Sequence, residues 1–501
     1  MEHGYFIPKN GTNMEQIRIL KKLTYKKRRN CLESQLVPNH SKEQKGYMDS
    51  RPQSLNNRNT SSTHWVKKTV KCGPSNIPPM SRLLKAAHRH NVDTLIDMGP
   101  KNSTKMWSTR WMFVVILTVY ISYKIRECSK PIPVGTSERF KLSLALLIRD
   151  VQFQIIDCLD CLGLVPDYRA IRWLRRADVQ ETAGVQRSDA TFDGVPVRVY
   201  RPTIGPKPVK AMVFYHGGGW TLGSVDAYDP VTAYFAEEAA MLVISVKYRL
   251  VPEHDQGDGL ADCVRATKHF LSRCDRYGIG RDKVVIAGDS AGGNIAAAVA
   301  LRLRDEAFQP MPSLQLLIYP CLQAIDLELP SYQQNADGPF LTKSFMAWFL
   351  SFLCCKSKRF APLFLGHGHV PSDVRAAMAK GVLSHDLLPN ENKYPPYRKP
   401  DFRRGGSEIW ERISQDYLDP YRFPLMAKDH RDLPRTYLVT AQFDILRDDG
   451  YLYVRKLKED GVDVIHYNCP YCWHGIINGL GKFEYSAKIM DTMVIFLKNE
   501  L

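Results

Sequence analysis

From about residue 190 to the C-terminus, short runs of β-branched and aromatic residues alternate with segments of helical spacing, and this alternation restricts the possible folds more than any other feature. The runs are VPVRVYRP (195–202), KAMVFYHGGG (210–219), MLVISVKY (241–248), KVVIAGDS (283–290), LQLLIYP (314–320), RTYLVTAQFD (435–444) and DVIHYN (463–468). Each is bounded by Gly, Pro, Asp or Asn. Helical spacing between them is clear at Ile295 to Arg304 and at Tyr451 to Lys458. Continuous apolar strands separated by helices predict an α/β fold with a mainly parallel central sheet and helices on both faces. No internal repeat is visible.

Two stretches interrupt the alternation. Residues 130–180 contain the amphipathic run RFKLSLALLIRDVQFQIID, and residues 325–430 separate two strands by far more than a crossover needs. Both are expected to cap the carboxyl ends of the strands, where an open α/β sheet places its ligand.

GDSAG (288–292) follows the strand KVVIA and precedes the helical NIAAAVALRLRD. A strand-to-helix turn of this form needs small neighbours, and it lifts the Ser290 hydroxyl above the sheet at a helix N-terminus. FYHGGGW (214–220) ends another strand, and its bare glycine amides can converge on one point. Gly217, Gly218 and Gly219 with the amide of Ala291 are therefore the expected oxyanion hole, with His216 supporting the loop. A phosphate cradle is disfavoured because no G-K-[ST] follows.

A serine nucleophile needs a base, and the base needs an orienting carboxylate, in the chain order Ser, acid, His. Asp444 follows the strand RTYLVTAQF, and His474 comes after DVIHYN. The competing acids Asp448 and Asp449 read better as first-turn residues of the next helix, and the competing His466 lies inside a strand. The favoured set is Ser290, Asp444 and His474. No cofactor and no metal is expected.

CPYC (469–472) immediately before Trp473 and His474 has the form of a thiol redox centre. Such centres usually open a helix, whereas this one lies on the expected loop after the last strand. A zinc site joining Cys158 and Cys161 to Cys469 and Cys472 is the weaker alternative, since it rests on residue count alone. Twelve cysteines over 501 residues do not fix a compartment.

The net charge of +17 raises the question of a nucleic-acid partner. Residues 1–105 hold 20 Lys+Arg against 7 Asp+Glu, a balance of +13 that leaves +4 for the rest. The basicity thus belongs to an N-terminal extension without sustained periodicity, read as disordered, and no nucleic-acid partner is expected. MWSTRWMFVVILTVYISYKIRE then introduces an apolar run with Trp and Tyr at its borders and no cleavage site after it. It is read as a signal-anchor transmembrane segment at 106–126, with Arg110 and Lys124 snorkelling. By the positive-inside rule the basic segment stays cytoplasmic and the large domain crosses the membrane. The sequons at Asn10, Asn39, Asn59 and Asn102 would then go unused. A chain begun at Met106 would be complete in this design, which leaves 1–105 as an alternative or mistaken start.

HGGGW, YRLVPEH (248–254), GDSAGGN (288–294), LIYPCLQ (317–323), PSYQQN (330–335) and FDILRDDG (443–450) occur in an order that resembles the hormone-sensitive-lipase-like α/β hydrolases. More narrowly, the chain resembles the arylacetamide deacetylase and neutral cholesterol ester hydrolase family over about residues 106–501. The resemblance implies an α/β-hydrolase domain at 127–501 with cap elements at about 130–180 and 325–430. It also implies a single-pass type II protein of the endoplasmic reticulum membrane with a lumenal domain. The expected activity is hydrolysis of carboxylic esters or arylamides of lipophilic substrates without a cofactor, through Ser290, Asp444 and His474. Relatives typically carry an acidic residue and Gly-Phe before the histidine, where this chain has Tyr471, Cys472 and Trp473. The usual aromatic-proline continuation after YRLVPEH is replaced by the polar DQGDG. A bridge that some relatives form at the positions of Thr221 and Ala441 is not expected. The resemblance extends to plant gibberellin receptors, so a ligand-binding protein on a hydrolase scaffold is the alternative function.

Overall fold

Chain order builds the architecture directly. The computed structural model describes residues 136, 138–175, 184–403 and 405–501. The expected extension at 1–105 and anchor at 106–126 lie outside the described residues, among which no helix is long and apolar enough to cross a membrane. Two helices, α1 (Arg139–Cys161) and α2 (Asp167–Leu174), come first. The hairpin β1 (Val185–Phe192) and β2 (Val195–Pro202) turns at Asp193-Gly194, both with positive φ, as a tight two-residue turn requires. Then follow β3 (Ala211–Tyr215), α3 (Asp229–Glu238), β4 (Leu242–Val246), α4 (Gln256–Leu271), β5 (Val284–Asp289), α5 (Ala291–Asp305) and β6 (Leu314–Ile318).

An insertion of short helices comes next: α6 (Pro330–Gln334), α7 (Lys343–Cys355), α8 (Ala361–Leu365), α9 (Ser372–Lys380) and α10 (Trp410–Tyr417). The chain returns through β7 (Arg435–Phe443), α11 (Arg447–Glu459), β8 (Val464–Trp473) and α12 (Glu484–Glu500).

The eight strands lie in the order β1-β2-β4-β3-β5-β6-β7-β8. β1, β2 and β4 pair antiparallel, and every other pairing is parallel. Period-two alternation sends Met212, Phe214, Val285 and Leu316 to one face, where α3 and α12 cover them. Val213, Tyr215, Ile286 and Leu317 go to the other, under α4, α5 and α11. Covering both faces is why the central strands read as unbroken apolar runs.

Two elements differ from the sequence expectation. β1 was not foreseen; it is an edge strand whose middle residues are exposed or half-buried, so it has no apolar run to announce it. β8 runs through CPYC to Trp473, so that tetrapeptide finishes the last strand instead of forming a loop.

The N-terminal helices and the insertion meet each other. Trp348 of α7 donates its Nε1–H to Asp167 of α2 at 2.9 Å. Lys358 reaches Asp160 and Asp167 at 2.5 and 3.1 Å. Phe153 packs on Phe345 and Tyr168 on Phe352. This helical layer touches the loops that leave the carboxyl ends of the strands: Trp220 packs against Phe423, and Asn335 donates to the Asp444 carbonyl at 3.1 Å.

Candidate active site

Ser290 lies between β5 and α5 with φ 56° and ψ −121°, a backbone conformation that non-glycine residues rarely adopt. The turn is held by its amide, which donates to the Ile318 carbonyl at 2.8 Å, and by Asn294, whose amide donates to the Ser290 carbonyl at 3.0 Å. The flanking glycines are there for space. A Cβ on Gly288 would collide with the Gly292 carbonyl, and one on Gly292 with the carbonyl of Tyr215 in β3. The motif therefore packs its backbone directly on the neighbouring strand.

Asp444 and His474 follow β7 and β8, adjacent parallel strands whose register shifts between Ala441 and Phe443 so that Phe443 pairs with Trp473. His474 Nδ1 lies 2.7 Å from Asp444 Oδ2, and Nε2 lies 2.9 Å from Ser290 Oγ. A carboxylate only accepts, so Nδ1 carries the proton and Nε2 is left to accept from the serine hydroxyl. Asp444 is buried, and its second oxygen accepts the Leu446 amide at 2.9 Å, which fixes the carboxylate's orientation. The arrangement is that of a serine whose proton can pass to a positioned base.

Cys472, two residues before His474, needs no left-handed backbone. No residue from Val464 to His474 takes a positive φ; the left-handed position falls on Gly475, at φ 77°. Cys472 is instead bonded to Cys469 in a disulfide. Disulfide sulfurs offer no thiolate, so the four-cysteine zinc alternative does not hold. Among the described residues no other group of His, Cys, Asp or Glu could hold a metal ion. The pair also sits at the end of a strand rather than at a helix N-terminus, unlike a thiol redox centre.

The glycine loop requires one correction. The Gly217 amide donates to Asp289 Oδ1 at 2.8 Å, so it is not available as an oxyanion donor. The amides of Gly218, Gly219 and Ala291 carry no hydrogen bond to any described residue. Gly218 takes φ 120°, which lets the loop fold back so that Leu222 donates to its carbonyl at 2.7 Å. His216 supports the loop from behind. Its ring stacks on Tyr248 at 4.4 Å, its Nδ1 lies 2.9 Å from the Gly217 carbonyl, and the Tyr248 hydroxyl donates to the His216 carbonyl at 2.7 Å. Burial pushes the His216 imidazole down to about 4, so it is neutral at pH 7.

Sequence reasoning missed the group that ties the two motifs together. Asp289, buried between them, accepts from Gly217 and from the Tyr228 hydroxyl at 3.0 Å, while Asn478 donates to that hydroxyl at 3.1 Å. Desolvation pushes Asp289 up to about 6 despite these donors. A signal was present: an acidic residue ending the apolar strand KVVIAGD must be buried and must find donors. The competing residues have other duties. Asp448 accepts from Ser331, Asn392 and Arg447; Asp449 accepts from Gln323 and Leu322; His466 pairs with Thr440.

Comparison with known proteins supports the fold and the family. The pattern of the α/β hydrolase fold family matches residues 212–379 and 384–478. Bovine (Bos taurus) arylacetamide deacetylase is 39% identical over 298 residues, 58% of this chain and 74% of that protein. Bovine neutral cholesterol ester hydrolase 1 is 34% identical over 368 residues, 70% of this chain and 89% of the relative. The chain belongs to this α/β hydrolase family. Among solved structures, a hyperthermophilic esterase from the archaeon Pyrobaculum calidifontis superposes with a TM-score of 0.50 at 27% identity, covering 73% of this chain and 99% of the esterase. A thermostable esterase from Pseudomonas putida has the same fold, with a TM-score of 0.53 at 23% identity, over 74% of this chain and 98% of its own. In this α/β hydrolase the serine turn at 288–292 and the glycine loop at 216–220 both lie within the matched residues.

Proposed function

We propose that this family member, a serine-type carboxylic ester hydrolase and deacetylase, is membrane-anchored and cleaves carboxylic esters or arylamides of lipophilic substrates through an acyl-enzyme on Ser290. The observation that carries the reading is the hydrogen-bond chain from Asp444 through His474 to Ser290, at 2.7 and 2.9 Å. Ser290 Oγ attacks the acyl carbonyl while His474 Nε2 takes its proton, and Asp444 holds the imidazole and stabilises the imidazolium. The amides of Gly218, Gly219 and Ala291 receive the oxyanion, each donor contributing about 3 kcal/mol to the transition state. His474 then protonates the leaving alcohol or amine, and water releases the acid by the same route in reverse.

The substrate class is supported by the named activities of the arylacetamide deacetylase and cholesterol ester hydrolase relatives and by the apolar helical layer beside the site. Localisation in the endoplasmic reticulum membrane, single-pass type II with the hydrolase domain lumenal, rests on the apolar run at 106–126 and the basic residues before it. No nucleic-acid partner enters the reading. The test is labelling by an active-site fluorophosphonate, in chains beginning at Met1 and at Met106. Wild type should label and Ser290→Ala should not; persistent labelling of the alanine variant would reject the nucleophile. Protease protection of residues 139–501 in sealed microsomes tests the topology.

A further inference from the structure

Helix α1 is docked on the protein by one side and bare on the other. Leu142 and Ile156 are buried, and Phe153 packs on Phe345 of the insertion. On the opposite side Phe140, Leu144, Ile148, Val151 and Ile155 are all exposed, Phe140 by 83% and Ile155 by 56%. At 100° per residue these five fall within an arc of about 80°, so they form one stripe running the length of the helix. The stripe continues through Leu162, Leu164 and Val165 to Trp173 of α2, which is 68% exposed. Between α1 and α2 lies a groove of about 590 Å³ lined by Leu159, Val165, Arg169, Ala170, Arg172 and Trp173. A patch of this extent is not ordinary surface: soluble domains scatter single apolar residues but rarely align them.

We infer that the α1–α2 face is a membrane-contact surface that lies in the bilayer interface, in addition to any span formed by residues 106–126. Three observations select a bilayer as the occupant. First, the apolar run of the sequence ends at Tyr123, so only the fifteen residues 124–138 join it to the start of α1 at Arg139, and α1 cannot lie far from the membrane that such a run enters. Second, the stripe is bordered by residue types that favour the interface: the exposed Arg169 for headgroups, and Trp173 at the polar–apolar boundary. Of the acidic residues nearby, Glu138 is paired with Lys141, and Asp157, Asp160 and Asp167 share Lys358. Third, the face adjoins the candidate site. Arg172 of α2 donates to the Thr221 carbonyl and to the Val251 carbonyl, each at 2.7 Å, and pairs with Glu253. The residue it holds, Thr221, is two positions beyond the glycine loop. A lipophilic molecule leaving the bilayer along this face would therefore arrive beside the site without crossing water. The surface itself does not depend on the reading of Ser290 as nucleophile.

The test uses the full chain reconstituted in phosphatidylcholine vesicles that contain a phosphatidylcholine with a photoactivatable diazirine in its acyl chain. After illumination, lipid adducts are mapped by peptide mass spectrometry. Adducts on residues 139–174 should exceed those on the distant helix α11 by about tenfold. In the variant Leu144→Glu/Ile148→Glu they should fall by a similar factor while fluorophosphonate labelling is kept, which shows that the fold survives. Adducts confined to 106–126 would overturn the contact surface while leaving the anchor standing. Absence of adducts from 139–174 together with cross-links between copies through that face would overturn it in favour of a dimer interface.

Discussion

At the scale of single residues, Asp289 and Ser290 are neighbours with different demands. Ser290 needs a strained turn that exposes its hydroxyl, and Asp289 needs to be buried so that its carboxylate can hold Gly217 and Tyr228. Holding a buried acid has a pH signature. Because burial pushes Asp289 from an ordinary 3.8 up to about 6, the folded state binds its proton more tightly than the unfolded chain does. Its contribution to stability is complete below about 3.8 and declines as pH rises towards 6, by an amount on the order of 3 kcal/mol. Asp289→Asn should therefore remove a downward slope in unfolding free energy between pH 4 and 6, measured by denaturant titration against wild type. An unchanged slope would mean that Asp289 is not the buried acid inferred here. Asp444→Asn is expected to behave differently. It keeps the fold but turns the imidazole to the wrong tautomer, lowering kcat for a p-nitrophenyl ester by about 10⁴-fold in steady-state assays.

Secondary-structure elements show which parts of the molecule could be read from the chain alone and which could not. β3 to β7 were legible because each is a short apolar run buried on both faces, β2 because its valines alternate with polar residues, and α5 and α11 because their apolar spacing is regular. Asp444 was legible because it lies directly after a strand, and His474 because it lies on the stretch that follows the last apolar run. β1 was not, because an edge strand has one wet face, and the CPYC extension of β8 was not, because its form points to a thiol centre on a loop. Asp289 escaped because its partners come from 61 and 72 residues away, a distance that no local pattern reports. Two element-scale predictions follow from packing. Gly292→Ala should destabilise the domain by roughly 3 kcal/mol or prevent folding, because its methyl would meet the carbonyl of Tyr215; thermal unfolding measures it. Removing the Cys469–Cys472 disulfide by a double Ser substitution should cost about 2 kcal/mol or less, since it closes so short a loop. Ester hydrolysis should persist in that variant and disappear in His474→Ala, which separates the histidine's role from that of the thiols.

On the scale of the whole molecule, the sheet positions the reacting groups and the helical layer decides what reaches them. The two halves of that layer are far apart in sequence, and a small polar cluster joins them: Asp167 accepts from Trp348 and from Lys358. The polar segment after YRLVPEH acts similarly elsewhere, since Asp255 caps α4 and binds Arg422 of the insertion at 2.7 Å. Neither link could be read from sequence, because both join charged residues whose partners only the fold supplies. Asp167→Ala should loosen α1 and α2 from the insertion while leaving Ser290 in place. The expected result is faster hydrogen exchange at 139–175 with fluorophosphonate labelling unchanged; unaltered exchange would show that the aromatic contacts alone hold the layer.

The last strand also bears on how copies of this protein can associate. β8 is an outer member of the sheet, and a bare outer strand invites a second copy to extend the sheet by pairing with it. Pro470 has no amide hydrogen to offer, and the bond between Cys469 and Cys472 ties that rim into a closed ring. The stretch that leads to His474 thus offers a neighbouring chain an interrupted row of donors, which disfavours sheet-to-sheet pairing at the end of the strand that carries the histidine.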